Sequence, residues 1–181
     1  MRTTKDNTLR SQRTLQSGVG LIETIIYLAL FITISVVLIG SLFGMMRSYT
    51  QTRIDNDLTD SAHVAVERMT REIRGALSID TTTSDFDSNP GVLKLNALDS
   101  GGSAKTVQFS VASSVLQMTD STDGTARDLT GSKVTVTSLI FRKIVTAKGS
   151  AVRVEMTLQS TRAGSSKTIN LYDTAALRGS Y

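Results

Sequence analysis

The feature that most constrains this chain is a run of 23 uncharged residues, 24–46, which begins directly after Glu23. The run is rich in isoleucine, leucine, valine and phenylalanine. About 20 apolar residues in a helix span the hydrocarbon core of a bilayer, so this run is long enough to cross one. A carboxylate at the edge of such a run is costly in lipid. Glu23 is therefore predicted to be a functional group that needs a positive partner.

The segment before the run is basic. The chain has 181 residues and a formal net charge of +4, and residues 1–18 contain four basic side chains and one acidic side chain. The remainder therefore carries a charge of only +1, and the high pI does not indicate a nucleic-acid partner. Basic residues before a first span stay in the cytoplasm. The N-terminus is predicted to lie inside and the residues after Met46 outside.

The order of residues at this junction is a second, more specific signal. A basic leader ends in glycine, and a hydrophobic residue, Leu-Ile-Glu and a long apolar helix follow. This order resembles the class III signal of type IV prepilins and type II secretion pseudopilins. The matching positions are Gly18, Val19, Leu21, Ile22 and Glu23.

The resemblance implies processing and assembly. Prepilin peptidase, which is also the N-methyltransferase, would cleave between Gly18 and Val19 and methylate the amine of Val19. Glu23 would neutralise the N-terminal amine of a neighbouring subunit, with Leu21 and Ile22 in the same assembly segment. The implied partners are other pilins or pseudopilins, membrane lipid and an inner-membrane assembly platform. The resemblance leaves open whether the filament belongs to a pilus, a secretion system or a competence system.

Two other interpretations of the N-terminus explain part of this pattern. A conventional secretory signal predicts an apolar region of roughly 7–15 residues followed by a small-residue cleavage site. This run is longer, and Arg47 follows it. An uncleaved signal anchor on an envelope binding protein explains the leader and the span. It does not explain Gly18 and Glu23 at their spacing.

The helical pattern continues beyond the apolar run. Apolar residues recur every three or four positions, which predicts a helix with one buried face. They are Ile54, Leu58, Ala62, Ala65, Met69, Ile73 and then Ala76 or Leu77. We predict one helix from about Gly20 to Ser78, roughly 85 Å long at 1.5 Å per residue.

Residues 80–105 contain many Thr, Ser, Asp, Asn and Gly residues and the only proline, Pro90. This composition predicts a variable surface loop with one short strand at 92–96. The remainder alternates apolar and polar residues in short runs, most clearly at 152–159, which predicts an antiparallel sheet. Strands are also predicted at 106–111, 115–119, 125–129, 134–137, 139–145 and 168–173.

The predicted fold class is α+β and pilin-like: a long N-terminal helix, membrane-spanning in its first half, packed on a C-terminal antiparallel β-sheet. Its segments are the leader 1–18, the span 19–46, the amphipathic continuation 47–79 and the exposed β domain 80–181. Residues 65–76 and 174–179 and the strands around Phe141 and Val154 also resemble the J class of minor pseudopilins.

The other residues that could have a chemical role are better explained as ordinary surface residues. The chain contains no cysteine, and its single histidine, His63, has no nucleophile at motif spacing. Asp120 to Gly124 resembles a fragment of a calcium loop but lacks the regular ligand spacing, so we interpret it as a solvated turn. Arg68, Arg71 and Arg74 alternate with acids, which argues against DNA as a partner. We expect no catalytic residue, no metal and no cofactor, and therefore no enzyme.

Overall fold

The computed structural model describes residues 19–146 and 149–178. One helix, α1 (Val19–Gly75), is followed by eight strands. The strands are β1 (Ser78–Ile79), β2 (Leu93–Leu98), β3 (Ala104–Ala112), β4 (Val115–Asp120), β5 (Ala126–Asp128), β6 (Val134–Thr146), β7 (Gly149–Arg162) and β8 (Ser165–Ala176). The chain divides into two compact units, Met1–Arg47 and Ser48–Tyr181.

In the second unit, α1 lays its apolar face on antiparallel sheets, which confirms the α+β class. The helix residues predicted from the periodicity are buried. Ala76, and not Leu77, continues the face: Ala76 is 1% exposed and Leu77 is 48% exposed. The sheets contribute apolar residues from alternate positions, such as Leu93 and Leu95 on β2 and Val152 and Val154 on β7. Burial of this apolar surface is the main favourable contribution to folding.

The strands form two sheets instead of one continuous meander. The first has the order β1-β2-β3-β4-β5 and the second β6-β7-β8, and every pair is antiparallel. The two sheets meet where the backbone N–H of Val136 donates to the carbonyl of Ser114 at 2.8 Å. The strand register shifts between Val136 and Ser138, and such an irregularity bends a strand. The sequence pattern within each strand does not reveal this division.

The helix ends three residues earlier than predicted. After Gly75, the N–H of Leu77 donates to the carbonyl of Asn96 at 2.8 Å, and Ser78 pairs with Asn96. The backbone groups that would have continued the helix are therefore used by β2. A partner 19 residues away in sequence outweighs local helix propensity, which is a weak determinant in a folded protein.

The predicted surface loop is more ordered than its composition indicates. The strand predicted within it is β2, which begins one residue later and ends two residues later than predicted. Upstream of β2, the backbone N–H groups of Asp87 and Gly91 donate to the carbonyls of Phe141 and Leu139 on β6. A Cβ on Gly91 would lie 3.2 Å from the Phe141 ring, so only glycine fits this approach without displacement. This part of the loop covers the outer edge of β6.

The remaining strand predictions are confirmed with shifts at the ends, except that the segments 134–137 and 139–145 form one strand, β6. Ser113 and Ser114 form the turn between β3 and β4, both with positive φ. Ala163 and Gly164 join β7 to β8 in the same conformation, with φ of 48° and 81°, which suits the tight turns of hairpins. The connection between β6 and β7 lies partly outside the described residues.

Candidate functional site

The predicted processing residues stand at the boundary of the described chain. Gly18 lies outside the described residues, and Val19 is the first residue of α1. Leu21 and Ile22 follow within the first turns of the helix and are 68% and 63% exposed. Cleavage between Gly18 and Val19 and methylation of Val19 stay predictions.

Within the described part of the chain, Glu23 has one polar contact. The phenol of Tyr27, one turn further along α1, donates a hydrogen bond to Glu23 Oε1 at 3.0 Å. Among the described residues, no cationic side chain forms an ion pair with Glu23. A neutral donor offsets only part of the cost of removing a carboxylate from water. The contact with Tyr27 was not predicted, although a spacing of four residues on a helix brings two side chains together.

The apolar stretch after Glu23 has no packing partner in the described part of the first unit. Every large apolar side chain from Leu21 to Met46 is between 50% and 70% exposed, on all sides of the helix. By length and composition, α1 is a candidate membrane span. An apolar surface this large requires lipid or protein around it. Membrane anchoring is consistent with this surface.

Three hydroxyl groups in the span bond to carbonyls of the helix itself. Thr24 donates to the carbonyl of Gly20, Thr33 to that of Ala29, and Ser35 to that of Phe31, at 2.6–3.0 Å. Such bonds remove the cost of an unpaired hydroxyl in hydrocarbon. The Glu23 carboxylate therefore differs in kind from the other polar groups in the described span, because a charge cannot be satisfied by the helix backbone.

Two glycines in the span, Gly40 and Gly44, have open space around them: no atom lies within 4 Å of a Cβ added at either position. Small residues four apart permit close approach of a second helix in a membrane. We interpret Gly40 and Gly44 as a packing surface of this kind. A local weak point in the helix is the alternative.

The charged residues on the second half of α1 mostly pair with each other. Arg68 binds Glu72 at 2.8 Å, and Arg71 binds Glu67. His63 is largely exposed and lies 3.9 Å from Glu67, as expected for a surface residue. These pairs occupy two of the three arginines that could contact DNA phosphates, and Arg74 is the third.

The calcium-like turn is occupied by cationic side chains. Lys105 Nζ donates to Asp120 Oδ2 at 2.8 Å, and the N–H of Thr122 donates to Asp120 Oδ1 at 2.9 Å. Arg127 binds Asp123. These contacts hold the pKa of Asp120 at about 2 and lower the pKa of Asp123, for which the N–H of Thr125 is the main cause. The described residues contain no cluster of metal-ligating side chains.

The Asp120–Lys105 pair should contribute to stability. The Asp120 side chain is only 15% exposed, and its pKa is lowered from 3.8 to about 2. Because the folded pKa is the lower one, this stabilisation is present above about pH 4 and is lost as the pH falls towards 2. We expect Asp120→Asn to cost about 1–2 kcal/mol at pH 7 and progressively less in acid. Urea unfolding of the full chain in detergent at pH 7 and pH 3 measures the difference. An equal cost at both pH values would contradict the assignment.

Three polar contacts attach α1 to β7 and β8 in the second unit. Lys167 Nζ lies 2.7 Å from Asp55 Oδ1, and Arg162 lies 3.9 Å from Asp57. Thr70 donates a hydrogen bond to Asp173. The residue numbers increase together along the helix and the strand, so β8 runs beside α1 in the same direction.

The comparisons with known proteins give no relative. No family model matches the chain, and no significant match was found among curated proteins or among solved structures. The function of this chain must therefore be inferred from its own residues.

Proposed function

We propose that this chain is a prepilin-type membrane protein, most similar to a minor pilin or a J-class pseudopilin. It would be a subunit of a type IV pilus-like or type II secretion filament. The observation that carries the proposal is Glu23, a carboxylate with one neutral donor at the start of a helix that is apolar on all sides. Gly18 stands five residues before it.

The physical argument links cleavage to assembly. Cutting after Gly18 would produce a positively charged amine on Val19. In an apolar filament core, the amine of one subunit and Glu23 of the next would form an ion pair, and each charge would offset the cost of the other. An unpaired charge in that environment is strongly unfavourable. Pairing therefore selects a defined axial offset between subunits, whereas apolar packing alone tolerates many offsets.

The exposed apolar stretch and the basic leader also indicate which other partners the chain would have. Before assembly, the exposed apolar stretch would lie in the lipid of the cytoplasmic membrane, with the basic leader inside and the β-rich unit outside. Prepilin peptidase would remove residues 1–18 and methylate Val19. The assembly platform in the inner membrane would then transfer the subunit into the filament, where other pilins or pseudopilins cover the same apolar surface.

Mass spectrometry of the N-terminal peptide, from protein isolated from its native membrane, tests the proposal. We expect the chain to begin at Val19 and to be heavier by one methyl group on its amine. A Gly18→Asp variant should retain the leader. If the wild-type chain still carries residues 1–18, the protein is instead an uncleaved, single-pass, signal-anchored envelope protein.

A further inference from the structure

The last strand, β8, is an open edge of the second sheet. The order β6-β7-β8 places β6 and β8 at the two edges. The edge of β6 is covered, because the N–H groups of Asp87 and Gly91 donate to its carbonyls. No backbone group of the described chain pairs with the outer side of β8 itself, and the outer side is first closed two residues later, where the N–H of Arg178 donates to the carbonyl of Arg74 at 3.3 Å. A row of unpaired backbone donors and acceptors can accept an additional strand.

The register identifies which groups face outward. The N–H of Leu177 donates to the carbonyl of Ser150 across the β7–β8 pair. In an antiparallel pair, residues that bond to the partner strand alternate with residues whose backbone groups point away. The odd-numbered residues of β8 therefore bond to β7. The outward groups at the C-terminal end of β8 belong to Asn170, Tyr172, Thr174 and Ala176.

The two halves of β8 differ in their surroundings. Near its start, Lys167 forms an ion pair with Asp55 of α1, and a charged residue on an edge strand discourages pairing. The C-terminal half instead borders a groove of about 1100 Å³ between β8 and α1. The groove is lined by residues that include Thr70, Arg71, Arg74, Thr174, Ala176 and Arg178.

The groove has a small excess of positive charge, because Arg71, Arg74 and Arg178 line it together with the two carboxylates of Glu67 and Asp173. Arg71 is paired with Glu67, and Asp173 accepts a hydrogen bond from Thr70. The side chains of Arg74 and Arg178 have no ion-pair partner among the described residues. Arg74 also lies in the last turn of α1, where a cation is favourable for the helix itself. Arg178 lies outside the helix and has no such role.

We propose that residues 170–176 of β8 and the adjoining groove bind an extended, acidic segment of another protein. The segment would add to the sheet as a further strand and bond to the outward backbone groups of β8. This mode of recognition takes its affinity from main-chain hydrogen bonds and its selectivity from the neighbouring side chains. Carboxylates of the segment would contact Arg74 and Arg178. The proposal does not depend on leader cleavage or filament formation.

The test uses the full chain in detergent micelles and a fluorescent ten-residue peptide in which valine alternates with glutamate. A peptide with lysine in place of glutamate is the charge control. We expect the glutamate peptide to bind and to slow hydrogen–deuterium exchange in residues 170–176. Arg178→Glu should weaken binding by about tenfold, since charge-assisted contacts of this kind contribute about that much. Lys133→Glu makes the same charge change at an exposed site outside the groove and should have no effect.

A proline in the edge separates strand addition from simple charge attraction. Proline is tolerated on an edge strand where its missing N–H faced solvent. Thr174→Pro should therefore leave the fold intact and abolish peptide binding. Thr168→Pro removes an equivalent outward N–H on the half of β8 away from the groove, and it should bind as the wild type does.

Four results would overturn the proposal. One is the absence of exchange protection in residues 170–176 at millimolar glutamate peptide. Another is equal binding of the lysine peptide. The third is unchanged binding by Thr174→Pro when circular dichroism shows both proline variants folded. Self-association of the chain through β8, detected by its concentration dependence and without peptide binding, would also assign this edge to a second copy and contradict an acidic partner.

Discussion

Replacing Glu23 with alanine is expected to reduce incorporation of the chain into filaments by about a hundredfold or more. The variant would leave the Val19 amine of a neighbouring subunit without a partner in the apolar core, and removing one member of a buried ion pair costs about 3–5 kcal/mol. Insertion into the membrane should be unchanged, because residues 24–46 remain as apolar as before. Immunoblots of sheared filaments and of membranes from the same cells measure both quantities.

Two matched variants identify the cause of the loss. Tyr27→Phe removes the hydrogen bond to Glu23 but keeps the charge, so it should assemble at close to the wild-type level. Asp60→Ala removes an exposed acid from the second half of the same helix and should also assemble. If Glu23→Ala assembles normally, the amine-pairing role is wrong. If Tyr27→Phe is as defective as Glu23→Ala, the intrahelical bond, and not the neighbouring amine, is the essential contact.

The second large effect is expected in the hydrophobic core of the second unit, Ser48–Tyr181. Leu58 is 1% exposed on the helix face that contacts the sheets. Leu58→Ala should lower the free energy of unfolding by about 2–5 kcal/mol, through lost burial and the cavity that remains. This is a large part of the 5–15 kcal/mol that is typical of a domain. Pulse proteolysis of the full chain in detergent, across a series of urea concentrations, measures the change.

Leu77→Ala is the matched control for Leu58→Ala. The same side chain is truncated, but Leu77 is 48% exposed just after the helix ends. We expect a cost below about 1 kcal/mol, because little apolar surface is lost from the core. Equal costs for the two variants would show that the helix face is not the principal contact with the sheets.

Much of the fold follows from local sequence patterns. The spacing of Ile54, Leu58 and the later apolar residues identifies the buried face of α1, because helix geometry brings every third or fourth residue to one side. Alternation in β7 identifies its buried residues in the same way, since neighbouring side chains on a strand point to opposite faces. Both periodicities are properties of a few consecutive residues, so no tertiary information is needed to detect them.

Parts of the fold that depend on contacts between residues far apart in sequence were not predicted, or were predicted at the wrong position. The helix ends at Gly75 because Asn96 binds the next backbone groups. The division into two sheets, which meet near Val136, was not predicted either, and β6 has a register shift between Val136 and Ser138. The loop 80–105 is attached to β6 by hydrogen bonds at Asp87 and Gly91. Each of these depends on contacts between residues far apart in sequence, which local propensity does not encode.

The sequence alone determined the assembly site that we propose. Gly18, Glu23 and the uncharged run 24–46 follow one another within one short stretch of the chain. Their arrangement is therefore visible without a structure. The tertiary structure alone decided the open edge of β8 and its groove. Arg74 and Arg178 are 104 positions apart, and only the pairing of β8 with β7 and its course beside α1 bring them to one surface. A strand lies at the edge of a sheet when no other strand pairs with its second side, and this depends on the arrangement of the whole sheet.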